Sequence, residues 1–288
     1  MNNRFIVFII SFCCSIYNFF QRMKYGLFGN HQLKQKVKDN RKLKNAYKGK
    51  RCFIFGNGPS LKNVDFSLFE EEYVFTVNTL YKKEDFLKLK SNFHVWADKV
   101  FFNDDVSADT ANGINHLLLN YGTQVFFPSY TMDFVKQYDL TDKVSIYNPV
   151  CHFNEKYKGK ISLDRCVMNY SSVVFQCIQI AVYMGFSEIY LLGCDCTGIQ
   201  SVISERLEKT NNAYCYTVDE TSKKIIDYTM NKRDMQSYFQ GWANIFKQYK
   251  YINQYAKNHG VKLFNLTNPT ILDSIERMNL DDVLKKKD

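Results

Sequence analysis

Beyond residue 50 the chain alternates short apolar runs with amphipathic stretches, and the apolar runs have the length of strands. Arg51-Cys-Phe-Ile-Phe55 leads into a glycine turn, Tyr73-Val-Phe-Thr-Val77 ends at Asn78, and Phe93-His-Val-Trp-Ala97 ends at Asp98. Thr123-Gln-Val-Phe-Phe127 makes a fourth strand, and Val64–Glu72 between the first two is turn and helix material. Ser172–Met184 carries few charges over a helical length and passes through Gly185-Phe186 into the strand Glu188-Ile-Tyr-Leu-Leu192. Gln240–His259 reads as a helix closed by Gly260, with Val261-Lys-Leu-Phe-Asn265 as the last strand. Strands separated by helices predict an α/β fold built on a doubly wound, mostly parallel sheet. Residues 197–239 break the pattern, being polar, tyrosine-rich and weakly periodic directly after a strand end. A long irregular insertion at the carboxyl edge of a parallel sheet commonly serves as a lid over a ligand site.

The first fifty residues follow a different rule. Phe5 to Phe20 reads FIVFIISFCCSIYNFF, an apolar run interrupted only by Ser, Asn and Tyr. As a helix it would be about 24 Å long, short of the roughly 30 Å hydrocarbon core of a bilayer. A signal peptide is disfavoured, because the run lacks a strongly basic start and a small-residue cleavage site, and a polybasic segment follows it. Basic residues stay on the cytoplasmic side, so they should hold the rest of the chain inside and attract anionic headgroups. The expected organisation is a hydrophobic membrane anchor at 1–21, a basic juxtamembrane segment at 22–50, and one large domain at 51–288 with the lid at about 197–239. Whether the N-terminal membrane-associated helix spans the membrane or lies on it is left open.

Charge sharpens this division. The net charge is +9, yet Arg22 to Arg51 alone holds eleven Lys or Arg against Asp39, and Arg4 adds one more positive charge. The remainder is therefore close to neutral, at −2, which argues against a nucleic-acid-binding body. The chain has 288 residues, 45% of them hydrophobic, enough for one large domain with a sizeable core. Nine scattered cysteines, an odd number, read as buried free thiols in a reducing compartment. Cys194-x-Cys196 has no matching second pair and no nearby His, so it is a poor zinc site.

The strongest chemical signal is FIFGNGPSL at 53–61, a buried strand running into Gly56-Asn57-Gly58-Pro59-Ser60. Glycines there would let backbone come close to a ligand, and exposed amides at a helix start suit phosphate. The dinucleotide fingerprint G-x-G-x-x-G is incomplete, because Leu61 stands at its third glycine. The second strand also ends in Asn78 where an acid for the ribose is usual, so NAD binding is unlikely. A P-loop is excluded, since no G-K-[ST] follows.

A strand, then GNGPSL, then an acidic-hydrophobic stretch, then a strand ending in Asn resembles the family 42 sialyltransferases. It is equally similar to the motility-accessory-factor group with its hydroxymethylpterin-pyrophosphokinase-like members. A second shared block runs from Ser171-Ser172 through a helix into MGFSEIYLLGCDCTG at 184–198, with weaker similarity through KLFNLTNPT at 262–270. The resemblance implies a single Rossmann-like domain, a GT-A-like variant with a lid, acting on a nucleotide-activated sugar, often CMP-sialic acid. It implies that Gly56, Asn57, Gly58 and Ser60, with Pro59 between them, hold the nucleotide phosphate and ribose. Asn78, Ser171 and Ser172 would contact the donor, and Asp195 would bind nucleotide hydroxyls.

Beside that resemblance, the sequence contains no D-x-D, so a metal-free mechanism is expected in which tyrosine hydroxyls stabilise the leaving phosphate. The lid supplies Tyr214, Tyr216, Tyr228 and Tyr238, alongside Lys209, Lys223 and Lys224. Family 42 enzymes use a lid-proximal His as general base, but the five histidines here, at 31, 94, 116, 152 and 259, all fall outside 197–240. The candidates for base are then His152, in a loop after Pro149, and Asp195, Asp219 or Glu220; His259 reads as a helix cap. The expected activity is a metal-independent glycosyltransferase on the cytoplasmic face of the bacterial inner membrane. It would move a nonulosonate from a CMP donor onto a glycan or lipid-linked acceptor, with no other cofactor and no nucleic-acid partner. Two alternatives are a pterin or nucleotide pyrophosphokinase and a non-catalytic membrane-tethered nucleotide-binding protein.

Overall fold

A computed structural model of the chain describes residues 3–152, 162–208, 214–231 and 234–285. Ten strands occur among them: β1 (Arg51–Phe55), β2 (Tyr73–Val77), β3 (Phe93–Val95), β4 (Gln124–Pro128), β5 (Ser145–Tyr147), β6 (Cys151–His152), β7 (Met168–Asn169), β8 (Glu188–Leu192), β9 (Lys262–Asn265) and β10 (Glu276–Arg277). Eight of them form one sheet in the order β10-β9-β8-β1-β2-β3-β4-β5, while β6 and β7 pair separately. Every pairing in the large sheet is parallel. The helices are α1 (Asn3–Phe28), α2 (His31–Asp39), α3 (Asp104–Tyr121), α4 (Met132–Gln137), α5 (Val173–Met184), α6 (Gly198–Glu208), α7 (Glu220–Asn231), α8 (Met235–Asn258) and α9 (Leu280–Leu284).

The strands are buried on both faces, and their alternation sorts the core into layers. Cys52 and Ile54 of β1 join Phe75, Phe175, Ile178 and Tyr249 on the face covered by α5 and α8. Phe53 and Phe55 point the other way, toward Phe66, Phe69, Leu80 and Phe86 from short 3₁₀ turns. Further along that face Trp96, Phe127 and Ile146 pack with Ile114 of α3 and Phe134 of α4. Strands β1 to β5 step outward in one direction and β8 to β10 in the other, so the order reverses between β1 and β8. Ligands of open α/β sheets bind at that reversal, beyond the carboxyl ends of the strands.

Several elements differ from the expectation. Strand β9 is not the last, since β10 and α9 follow it. The segment 197–239, expected to be irregular, is largely helical: it contains α6, α7 and the first turn of α8, which starts five residues earlier than the apolar pattern suggested. The basic segment is folded onto the domain. Asn40 Nδ2 donates to the carbonyls of Ile146 at 2.7 Å and Leu163 at 3.2 Å, covering the open edge of β5. Tyr47 stacks on Phe186 at 5.0 Å and meets Phe93 edge-on. Among the described residues, no helix is long and apolar enough to cross a membrane.

Candidate functional site

The loop after β1 and the turn after β8 meet at the reversal point and hold each other. Gly56 N donates to Leu192 O at 2.8 Å and Gly58 N to Gly193 O at 3.0 Å. Asp195 accepts from Ser60 N and Ser60 Oγ, both at 2.8 Å. A β-carbon at Gly58 would collide with the Asp195 carboxylate, and one at Gly56 with the Gly193 carbonyl. The close approach of the two loops therefore by itself requires glycine at both positions. Pro59–Asn63 forms only a 3₁₀ turn, and Leu61 N bonds back to Gly58 O. With four amides of this loop already donated, an amide cradle for phosphate is not its main feature.

Asp195 is 3% exposed, and its burial raises the carboxyl pKa above the usual range, against the opposing pull of the Ser60 hydrogen bonds. Both oxygens are held by Ser60, so Asp195 fixes the shape of the loop while its edge borders the cleft. The Cys194 and Cys196 thiols face the Tyr249 hydroxyl. All nine cysteines are free.

Above these loops lies a cleft of about 350 Å³, bordered by Gly56–Pro59, Asn78, Ser172, Asp195, Tyr214, Tyr238 and Trp242 among others. It shares Asn78, Ser172, Tyr238 and Trp242 with a second, larger compartment of about 870 Å³ that adds Asp98, Lys99, Tyr170, Ser171 and Gln240. Two amide oxygens at the cleft, Asn57 Oδ1 and Asn78 Oδ1, are buried with no hydrogen-bond partner. Asn78 also adopts the left-handed backbone conformation at φ 46°, which Asn tolerates better than most residues. Ser172 caps α5, accepting from Val174 N at 3.4 Å. Ser171 is tied to α8, its amide donating to Gln248 Oε1 at 2.8 Å while Gln248 Nε2 donates to Ser171 Oγ at 3.0 Å.

The insertion closes over the loop through a short connector between α6 and α7. Cys215 N donates to Asn57 O at 3.2 Å, and Tyr216 Oη pairs with Thr79 Oγ1. Asp219 bonds Lys82 at 2.7 Å, so it is an anchor of the connector and not a free base. Tyr214 stacks on Tyr216 at 5.3 Å and reaches the cleft; burial raises the pKa of both phenols, which leaves them neutral donors. Tyr216 does not line the cleft, since its hydroxyl is used on Thr79. Lys209 and the Tyr228 side chain lie outside the described residues.

His152 is not brought to the cleft. Its ring packs on Tyr17 of α1 at 4.8 Å, and its backbone exchanges two hydrogen bonds with the Asn18 side chain. Ser60 lies behind the loop, bordering a separate hollow with Asn265 and Asn279. The residues missed in the sequence are Asp98, Trp242 and Tyr249. Asp98 had a legible signal, because it terminates a strand at the same carboxyl edge as Asn78; the two aromatics sit in an ordinary amphipathic helix and gave none.

Fold and site together define a doubly wound α/β domain, with loops gathered at the reversal point of a parallel sheet. The chain belongs to the 6-hydroxymethylpterin diphosphokinase MptE-like family, whose sequence model matches residues 28–200. That span contains both blocks on which the resemblance was read and ends as the lid begins. Two solved structures of the sialyltransferase CstII from Campylobacter jejuni are similar to the chain. One, in complex with the substrate analogue cytidine-5'-monophosphate, is 16% identical, with 80% of this chain and 85% of that one covered and a TM-score of 0.45. The other, in complex with CMP-3FNeuAc, is 19% identical over 79% and 86% of the two chains, also with a TM-score of 0.45. No curated protein matches the chain.

Proposed function

We propose that the chain is a glycosyltransferase that binds a nucleotide-sugar in the cleft at the β1/β8 reversal and its acceptor in the adjoining compartment. The observation that carries this reading is the pair of contiguous compartments meeting at Asn78 and Ser172, with orphaned amide oxygens on the first. Buried acceptors without partners cost about 1–3 kcal/mol each, so a ligand rich in donors, such as a base amine or sugar hydroxyls, would relieve them. The leading donor is a CMP-linked nonulosonate. Among the described residues lining the first compartment there is no Lys or Arg, and Asp195 lies at its edge. A single phosphodiester suits that wall better than a triphosphate. In the transfer, the acceptor oxygen bonds to the anomeric carbon and the bond from that carbon to the phosphate oxygen breaks. The acceptor proton passes to Asp98, while the Tyr214 and Tyr238 hydroxyls hydrogen-bond the departing phosphate. The acceptor would be a glycan or lipid-linked glycan at the cytoplasmic face of a bacterial inner membrane.

Family membership favours a second reading, diphosphoryl transfer from ATP to a pterin. A thermal-shift screen against CMP, UDP, GDP, ATP and NAD, each with magnesium and with EDTA, separates the two. The glycosyltransferase reading expects CMP at saturating concentration to raise Tm by roughly 3–8 °C in EDTA. Asp98→Asn should keep that shift and lower transfer by about 10²–10⁴-fold. Stabilisation by ATP with magnesium alone would reject it in favour of the diphosphokinase. No response to any nucleotide would point to a non-catalytic tethered protein.

A further inference from the structure

Helix α1 is amphipathic in the reverse sense. Its described side chains that are fully buried against the domain are polar, Ser11 at 8% and Asn18 at 1% exposure, and Asn18 is fixed by the hydrogen bonds to His152. Its outward face carries Phe8, Ile9, Ile10, Phe12, Phe19 and Phe20, all exposed. A contiguous apolar face of this size on a polar-docked helix is expected where the surroundings are themselves apolar. Near the C-terminal end of the same helix lies a cavity of about 730 Å³, away from the residues of the nucleotide cleft. Its lining includes Arg22, Arg41, Lys44 and Arg165, with Asp164 as the sole carboxylate among the described lining residues. Asp164 is paired with Arg41 Nε at 3.2 Å, and the described lining residues carry more positive than negative charge.

We propose that this cavity holds the phosphate of an anionic phospholipid headgroup while the phenylalanine face of α1 rests in the adjoining acyl region. The helix would then lie in the interface and not cross it. An anionic bilayer answers both features at once. It supplies apolar medium for the exposed face and phosphate for the guanidinium and ammonium groups, which bind it through charge-assisted hydrogen bonds. Soluble phosphate would answer the cavity alone, and a second copy of the chain would answer the apolar face alone. The inference deepens the membrane location given above and does not depend on which group is transferred.

The test is flotation of the full chain with vesicles of phosphatidylcholine alone and of phosphatidylcholine containing one-third phosphatidylglycerol. Binding should be at least tenfold stronger to the anionic vesicles. The double substitution Lys44→Gln, Arg165→Gln should lower that preference about tenfold while leaving Tm and any nucleotide-induced shift unchanged. Phe8→Ser with Phe12→Ser should weaken binding to both vesicle types. Equal binding to the two vesicle types, or a preference untouched by the double substitution, would overturn the proposal. So would stabilisation by inorganic phosphate without vesicle binding, or a stable dimer that hides the apolar face and fails to float. Loss of nucleotide response with vesicle selectivity intact would instead count against the transferase reading alone.

Discussion

At the scale of single residues, the site rests on a contact between a glycine and a carboxylate. Gly58 has φ −66°, which any residue can adopt, so its identity is set by the space that Asp195 fills and not by backbone freedom. Gly58→Ala should therefore displace Asp195, cost about 1–3 kcal/mol in urea unfolding, and abolish the CMP-induced shift. Unchanged stability with nucleotide response intact would mean that the two loops are not locked together. A second residue gives the fold a pH signature. His94 is fully buried, with Nδ1 2.7 Å from Thr76 Oγ1, and burial pushes its pKa down to about 3. Above pH 6.5 the imidazole is neutral in both states, and its burial carries no proton-linked cost. As pH falls from 6.5 toward 3, the unfolded chain takes a proton that the folded chain refuses, so stability is lost in that window. From pH 7 to pH 5 this group should remove about 2 kcal/mol. His94→Gln should lose that much less over the same interval, read from unfolding midpoints at the two pH values.

At the scale of elements, the strands facing core on both sides were legible because nothing else explains runs such as CFIF and YLL. Helix α5 was also legible, being apolar with Ser172 before it and Gly185 after it. Strand β5 was not: Ser145-Ile-Tyr147 is three residues long and holds its place by pairing with β4, a contact that local pattern does not encode. Of the insertion's helices, α6 was hidden because it holds its place by packing on α8, a contact that local pattern does not encode. The packing role of the GNG loop was not legible for a related reason. Its partners Gly193 and Asp195 lie some 135 residues away, and only the β1/β8 pairing brings them there. The connector of the insertion provides the test at this scale. Tyr216→Phe leaves the buried Thr79 hydroxyl unpaired, at a cost of about 1–3 kcal/mol. Its main effect should be local, with amide exchange around 214–222 rising well before that of β1 and β8. Uniform protection in the variant would show that the Thr79 contact does not hold the connector.

At the scale of the whole molecule, the two ends of the chain differ in what they give to the core, and the difference predicts which can be removed. The described side chains of α1 that are fully buried are Ser11 and Asn18, whose hydrogen bonds contribute roughly 0.5–1.5 kcal/mol each. The matched family span also starts at residue 28. Residues 261–288 bury Val261, Leu263, Leu266, Leu272, Ile275 and Val283, each worth about 1.5–3 kcal/mol of transfer free energy. Together these approach or exceed the 5–15 kcal/mol by which a domain is normally stable. This end also completes the site, because Cys194 N donates to Thr267 Oγ1 at 3.0 Å and Ile271 N to Asp195 O at 3.1 Å. Deleting residues 2–20 should therefore leave a cooperative transition within about 5 °C of the parent, with the CMP response kept and vesicle binding lost. Deleting residues 261–288 should leave no cooperative transition at all. If the shorter N-terminal deletion were the one to unfold, α1 would be part of the core and its apolar face would need an explanation other than a lipid surface.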